Sequence, residues 1–140
     1  MVLKEKQSII KETKAEIQKS TTAEDKLRTF ALTINRALKK RIILFNIINS
    51  EPNDGLCLRN VFKKRYDTLE LDLLRSIISF GIETGEFKDL DEEKLDYVTF
   101  ISISMLRGLR LNLIVEEHTD KDPLELINYS IDLLIKALKN

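Results

Sequence analysis

Residues 69–91 read LELDLLRSIISFGIETGEFKDLD. Leucines and isoleucines recur there every three or four positions and then stop at Gly85, the pattern of a long amphipathic helix reaching its end. Glycine accepts the left-handed backbone that a helix C-terminus commonly needs, and Phe87 stands where it can fold back on the last turn. Asp89 or Asp91 can then accept hydrogen bonds from the free N–H groups of a following helix. The acidic first turn of that helix, Asp91-Glu92-Glu93, suits the positive end of its dipole. The stretch is therefore a helix, a tight stop and a second helix.

Working outward, the rest of the chain has the same character. Only four glycines and two prolines interrupt 140 residues rich in Leu, Ile, Lys and Glu, so α-helix is favoured throughout. Apolar residues make up 43% and charged residues 33%, which is enough for one continuous core but not for two. The expected fold is all-α, a single multi-helix bundle of about five helices over residues 1–140. Residues 3–18 form a charged helix with a thin stripe of Leu3, Ile10 and Ile17, with Ile9 beside it. Thr21-Thr22-Ala23-Glu24 has the form of a capping box, and the helix it opens runs to about Asn49 with Leu27, Ala31, Ile34, Leu38, Ile42 and Phe45 inward and Phe30 at the edge. After the turn-rich Ser50–Gly55, a helix over about Leu56–Thr84 carries two stripes. One is Leu58, Phe62, Leu69, Leu73, Ile77 and Phe80, and the other is Leu71, Leu74, Ile78 and Ile82. A fourth helix, about Asp91–His118, is apolar nearly all round. Asp122 and Pro123 start the last, with Leu124, Ile127, Ile131, Leu134, Ile135 and Leu138 inward.

The net charge is zero, but residues 1–50 hold 11 basic and 5 acidic groups against 12 and 18 in the remainder. A neutral chain lacks the electrostatic footprint of a nucleic-acid binder. The triplets Lys39-Lys40-Arg41 and Lys63-Lys64-Arg65 lie within helical patterns, so their members splay over several faces and no aromatic platform joins them. Cys57 is alone, which excludes an internal disulfide and a cysteine metal site and fits a reducing cytoplasm. The greasiest runs, Ile42–Ile48 and Leu111–Val115, are broken by Asn46 and Asn112 and are too short to span a membrane. The N-terminus, with its alternating charges, is unlike a secretory signal.

Nothing in the sequence points to an enzyme, a cofactor or a metal. His118 neighbours Glu116 and Glu117, but consecutive helical residues diverge, and helix-borne ligands need spacings of three or four. There is no nucleophile motif and no phosphate-cradling loop. Carboxylates such as Glu83 and Glu86 are expected on exposed turns.

Ile78, Gly81, Ile82, Gly85, Glu86, Phe87 and Asp91, followed by a helix containing Leu106-Arg107-Gly108-Leu109 and a final amphipathic helix, resemble the C-terminal ligand-binding and dimerisation domain of TetR-family transcriptional regulators. The order of elements matches over nearly the whole chain. The resemblance implies a homodimer that senses a small-molecule effector and touches DNA only through an N-terminal helix-turn-helix domain, which this sequence lacks. Residues 1–19 would then be the linker helix. The alternative is a helical protein–protein interaction module unrelated to transcription.

In such a sensory domain, polar groups set into apolar stripes are the pocket candidates. Arg41 and Arg65 lean towards apolar sides and would either meet an anionic ligand, or snorkel to water or pair internally with a carboxylate such as Asp72. Tyr66, Ser76, Thr99 and Ser102 would add hydrogen bonds in a cavity framed by Phe30, Ile34, Phe45, Phe62 and Leu69. A dimer face is expected where apolar surface exceeds what one core can cover. On the fourth helix it would comprise Phe100, Ser104, Gly108, Leu111 and Val115, and on the fifth Leu126, Tyr129, Leu133 and Ala137.

Overall fold

Among the described residues, five helices in sequence make an all-α bundle in the computed structural model of the chain: α1 (Val2–Gln18), α2 (Ala23–Ile48), α3 (Asp54–Glu83), α4 (Glu92–Arg110) and α5 (Pro123–Leu138). The structure describes the backbone of residues 2–48, 54–110, 112 and 120–139, and the side chains of residues 7–37, 39–40, 69–110, 112 and 120–139. No strand occurs among the described residues. α2 is central, packing against α1, α3 and α5, while α4 closes the bundle against α3 and α5.

The core follows the helical periodicity, with one correction of detail. Among the described side chains of α3, those of residues 69–83, the buried positions are Glu70, Leu73, Leu74, Ile77, Ile78 and Gly81, whereas Leu69, Leu71, Phe80 and Ile82 are only partly covered. The two expected stripes are thus the shoulders of one broad face. Successive residues lie about 100° apart, so neighbours such as 73–74 and 77–78 straddle a common inward direction. α1 contributes more than a thin stripe, because Ile9, Ile10, Thr13 and Ile17 are all buried. Phe30, expected at the edge of α2, is wholly buried, and Leu124, expected inward on α5, is exposed. α3 is one continuous 30-residue helix. The expected extension of α4 from Leu111 to His118 lies outside the described residues, Asn112 excepted.

The stretch that ends α3 holds the other elements in place. Gly85 adopts φ +80°; its N–H donates to the Ile82 carbonyl (3.1 Å), and the Phe87 N–H donates to the Gly81 carbonyl (2.9 Å). Phe87 folds back as expected and is fully buried over Gly81, where a Cβ atom would come within 2.2 Å of the ring. Asp91 caps α4, accepting from the Lys94 N–H at 2.8 Å. Glu86 overturns the expectation of a solvated turn. Its carboxylate accepts from the Ala23 N–H (2.7 Å) and the Glu24 N–H (2.8 Å) across the molecule.

The start of α2 is therefore capped from two sides. Thr22, rather than the Thr21 of the sequence box, accepts from the Asp25 N–H at 3.1 Å, and Glu86 takes the preceding two donors, so the orphan N–H groups of the first turn are satisfied. Glu24, freed from the box, pairs with Lys139 at 2.9 Å. Lys26 donates to the carbonyls of Ile17 (3.2 Å) and Ser20 (2.8 Å), closing the end of α1, and lies 5.1 Å from the centre of the Phe80 ring. The Lys88 N–H reaches the Leu138 carbonyl (2.9 Å) at the end of α5. Residues 81–88 thus join the end of α3 to the start of α2 and the end of α5. As expected, Asp122 caps α5, accepting from the Leu124 N–H at 3.0 Å ahead of Pro123 in the first turn.

Candidate functional site

The most demanding chemistry in the bundle is a carboxylate in its interior. Glu70 sits four residues before Leu74 and eight before Ile78, on the buried face of α3, and its side chain is inaccessible to solvent. A charge removed from water is costly unless it is paired and hydrogen-bonded. Arg110 donates from Nη2 to Glu70 Oε1, and Arg107 Nε stands 3.9 Å from Glu70 Oε2. The two arginines are three residues apart on α4, so they share a face. They differ in exposure: the Arg110 side chain is 12% accessible and that of Arg107 31%.

Glu70 and Arg110 border a cavity of about 10 Å³ where α2, α3, α4 and α5 meet. α2 contributes Phe30, Ala31, Ile34 and Asn35, and Leu106 and Ile127 complete an otherwise apolar wall. The volume admits about one water molecule. Asn35 is buried, and its Oδ1 accepts no hydrogen bond among the described residues. Arg110 Nε also donates to the Leu106 carbonyl at 3.3 Å.

Phe30 and Ile34 line this cavity, and Leu69 lies beside Glu70, partly buried. Thr99 and Ser102 are buried on the inward face of α4, with Thr99 Oγ1 donating to the Leu95 carbonyl at 2.7 Å. Ser76 stands apart from the cavity. It donates to the Leu73 carbonyl at 2.7 Å and borders an outer groove with Asp72, Arg75, Ser79, Phe80 and Glu83. The side chains of Arg41, Phe45, Phe62, Arg65 and Tyr66 lie outside the described residues.

The polar residues found here, Asn35, Glu70, Arg107 and Arg110, are not those the sequence singled out. The signal was present in spacing. Glu70 precedes Leu74 by one turn, Asn35 follows Ala31 by one turn, and Arg110 follows Leu106 by one turn. Each of these three is a polar residue on an inward row, and Arg107 shares its face of α4 with Arg110.

A second feature lies on the outside. Phe100, Ser104 and Gly108 are exposed on α4, with nothing within 4 Å of the place a Gly108 Cβ would take. Tyr129, Leu133 and Ala137 are exposed on α5, while Leu126 packs partly against the core. Phe100 is 64% and Leu133 51% accessible, and Tyr97, Ile101 and Leu124, which the sequence reading left out of this face, are exposed as well. Leu111 and Val115 lie outside the described residues. On α4, positions 97, 100, 101, 104 and 108 form one stripe at helical spacing. The Tyr97 phenol hydrogen-bonds Glu93 Oε1 at 2.5 Å, which raises its pKa above the ordinary tyrosine value. Arg75 bridges the flank of α4 through Asp96 (2.8 Å) and Glu92 (3.6 Å); the hydrogen bond to Asp96 is the main reason its pKa is raised.

Among the described residues no group of His, Cys, Asp and Glu side chains is placed to hold a metal, and no helix is long and apolar enough to cross a membrane. No family model, curated protein or solved structure matches this chain.

Proposed function

We propose that this chain is the effector-sensing and dimerisation domain of a TetR-type transcriptional regulator, acting in the cytoplasm as a homodimer. The reading rests on the exposed apolar stripe shared by α4 and α5. A lone soluble chain gains nothing by holding three aromatic rings (Tyr97, Phe100 and Tyr129) and three branched aliphatic side chains (Ile101, Leu124 and Leu133) in water. Pairing with a second copy through a two-fold axis buries the same face on both partners, as cyclic dimers do. Four helices, α4 and α5 from each copy, would form the joint.

On this reading the helix-turn-helix is carried by a separate N-terminal unit, and an effector bound among the helices changes the separation of two such units. It needs only to prefer one of two helix arrangements, since a ligand that binds both equally shifts neither. The resemblance in element order and in the Gly81–Asp91 stop supports the same assignment. Translating the coding sequence upstream of Met1 tests it: a helix-turn-helix in frame is the expected result. Its absence would favour the rival, a helical module that offers the α4–α5 face to a different protein.

A further inference from the structure

We propose that Glu70 and Asn35 form a subsite for the cationic head of an organic amine or guanidine, and that Arg110 occupies it as a tethered stand-in until such a ligand arrives. The inference rests on the sensory reading above and names the chemical class of its effector. Three observations carry it. Glu70 is wholly buried and accepts a hydrogen bond from Arg110; Asn35 Oδ1, also buried, accepts none among the described residues; and the gap both border is otherwise walled by apolar side chains such as Phe30, Ile34 and Leu106.

Carboxylate and amide oxygens are acceptors, so the group that satisfies both must be a donor, and the carboxylate favours a positive one. Ammonium and guanidinium groups fit, whereas a carboxylate or phosphate ligand would face Glu70 with like charge. The cavity as it stands holds no more than about a water molecule, so a ligand head must take the place of the Arg110 guanidinium. That guanidinium is partly accessible at the last described turn of α4 and can swing to water. The ligand's apolar body would then take the space that the Arg110 side chain vacates beside Leu106, in the way such pockets usually bury a ligand. Because Arg110 is one of the ties between α4 and α3, beside Arg75–Asp96 and Arg107–Glu70, its release loosens the C-terminal end of the helix that carries Phe100 and Gly108. Ligand and dimer face are coupled through that one helix.

The test is calorimetric titration of the full chain with benzylguanidinium, benzylamine, benzyl alcohol and benzoate. In Arg110→Ala the stand-in is gone, and benzylguanidinium is expected to bind at least about tenfold more tightly than in the wild type, about 1.4 kcal/mol. Benzyl alcohol and benzoate should bind weakly or not at all, and Glu70→Gln added to Arg110→Ala should abolish the gain. Equal binding in wild type and Arg110→Ala, or benzoate binding as well as the cations, overturns the proposal. Should Arg110→Ala not fold, titration of the labelled wild type decides. The Arg110 Nε–H resonance must move on addition of benzylguanidinium, and a stationary resonance at saturating probe refutes the subsite. A chain that dimerises but binds no cation loses this subsite and keeps the sensory reading. A chain that binds the cation yet stays monomeric keeps the subsite and loses the dimer.

Discussion

Replacing Gly81 with alanine should destabilise the bundle, although the same change inside most helices stabilises it. A Cβ at position 81 would lie 2.2, 2.5 and 2.8 Å from three atoms of the Phe87 ring, closer than any real contact. The ring is enclosed, and its backbone is pinned by the Phe87 N–H to Gly81 carbonyl bond of 2.9 Å, so it cannot slide away intact. Overpacking of this kind costs about 1–3 kcal/mol, and expelling the ring instead would forfeit about 1.5–3 kcal/mol of apolar burial. Alanine returns about 1 kcal/mol of helix propensity. The net loss is up to about 2 kcal/mol, or up to roughly 8 °C in Tm at about 4 °C per kcal/mol for a chain of this length. Thermal and urea unfolding of Gly81→Ala, Phe87→Ala and the double variant form a cycle. In the Phe87→Ala background, itself lower by about 3–5 kcal/mol, the obstacle is gone, and Gly81→Ala should become stabilising by up to about 1 kcal/mol. If Gly81→Ala has the same sign in both backgrounds, Phe87 does not fill the space over Gly81 and the account of the joint is wrong.

Two further outcomes follow from the contacts described. Glu86→Gln leaves one acceptor facing two N–H donors at the start of α2, so it should cost about 1–3 kcal/mol and speed hydrogen exchange at Ala23 and Glu24 specifically, whereas Glu83→Gln, on the exposed end of α3, should change neither. Tyr97 should ionise above the ordinary tyrosine range, because its phenol donates to Glu93. The stability this adds is present below the unfolded pKa and is lost as pH rises through the folded one; ultraviolet titration should show the pKa falling back in Glu93→Gln and unchanged in Glu92→Gln.

Much of the fold was legible in the sequence because it depends on local rules. Gly85 ended α3, Asp91 and Asp122 capped their helices, and the three-to-four spacing of isoleucine and leucine placed the core rows. What stayed hidden depends on contacts between distant residues. Nothing near Glu86 announces that its partners are Ala23 and Glu24, more than sixty positions away. Thr21 and Thr22 are equally good caps until the path of the chain from α1 selects Thr22. Glu70 reads as one of several acidic residues in LELDLL, and only the packing of α4 against α3 brings Arg107 and Arg110 to it. The outer face of α4 and α5 was read from circumference alone, since one core cannot cover apolar residues on every side of a helix. Ile101 and Tyr97 fall outside the expected face because that face followed a single row of the helix through Phe100, Ser104 and Gly108, whereas the exposed arc is wider than one row.

The α4–α5 face carries the functional reading, and a single measurement addresses it. Molar mass by light scattering, taken over a dilution series of the wild type, Leu133→Glu and Lys14→Glu, reports the association directly. Leu133 is half exposed at the centre of the α5 stripe, and Lys14 is exposed on α1. A carboxylate at 133 would be buried without a partner in a dimer built on this face, at a cost of several kcal/mol. The wild type and Lys14→Glu are expected to weigh as two chains at concentrations on the order of ten micromolar, where a micromolar interface is largely occupied, and Leu133→Glu as one. A wild type that remains a single chain across the series, or a Leu133→Glu that dimerises like the wild type, would contradict the account.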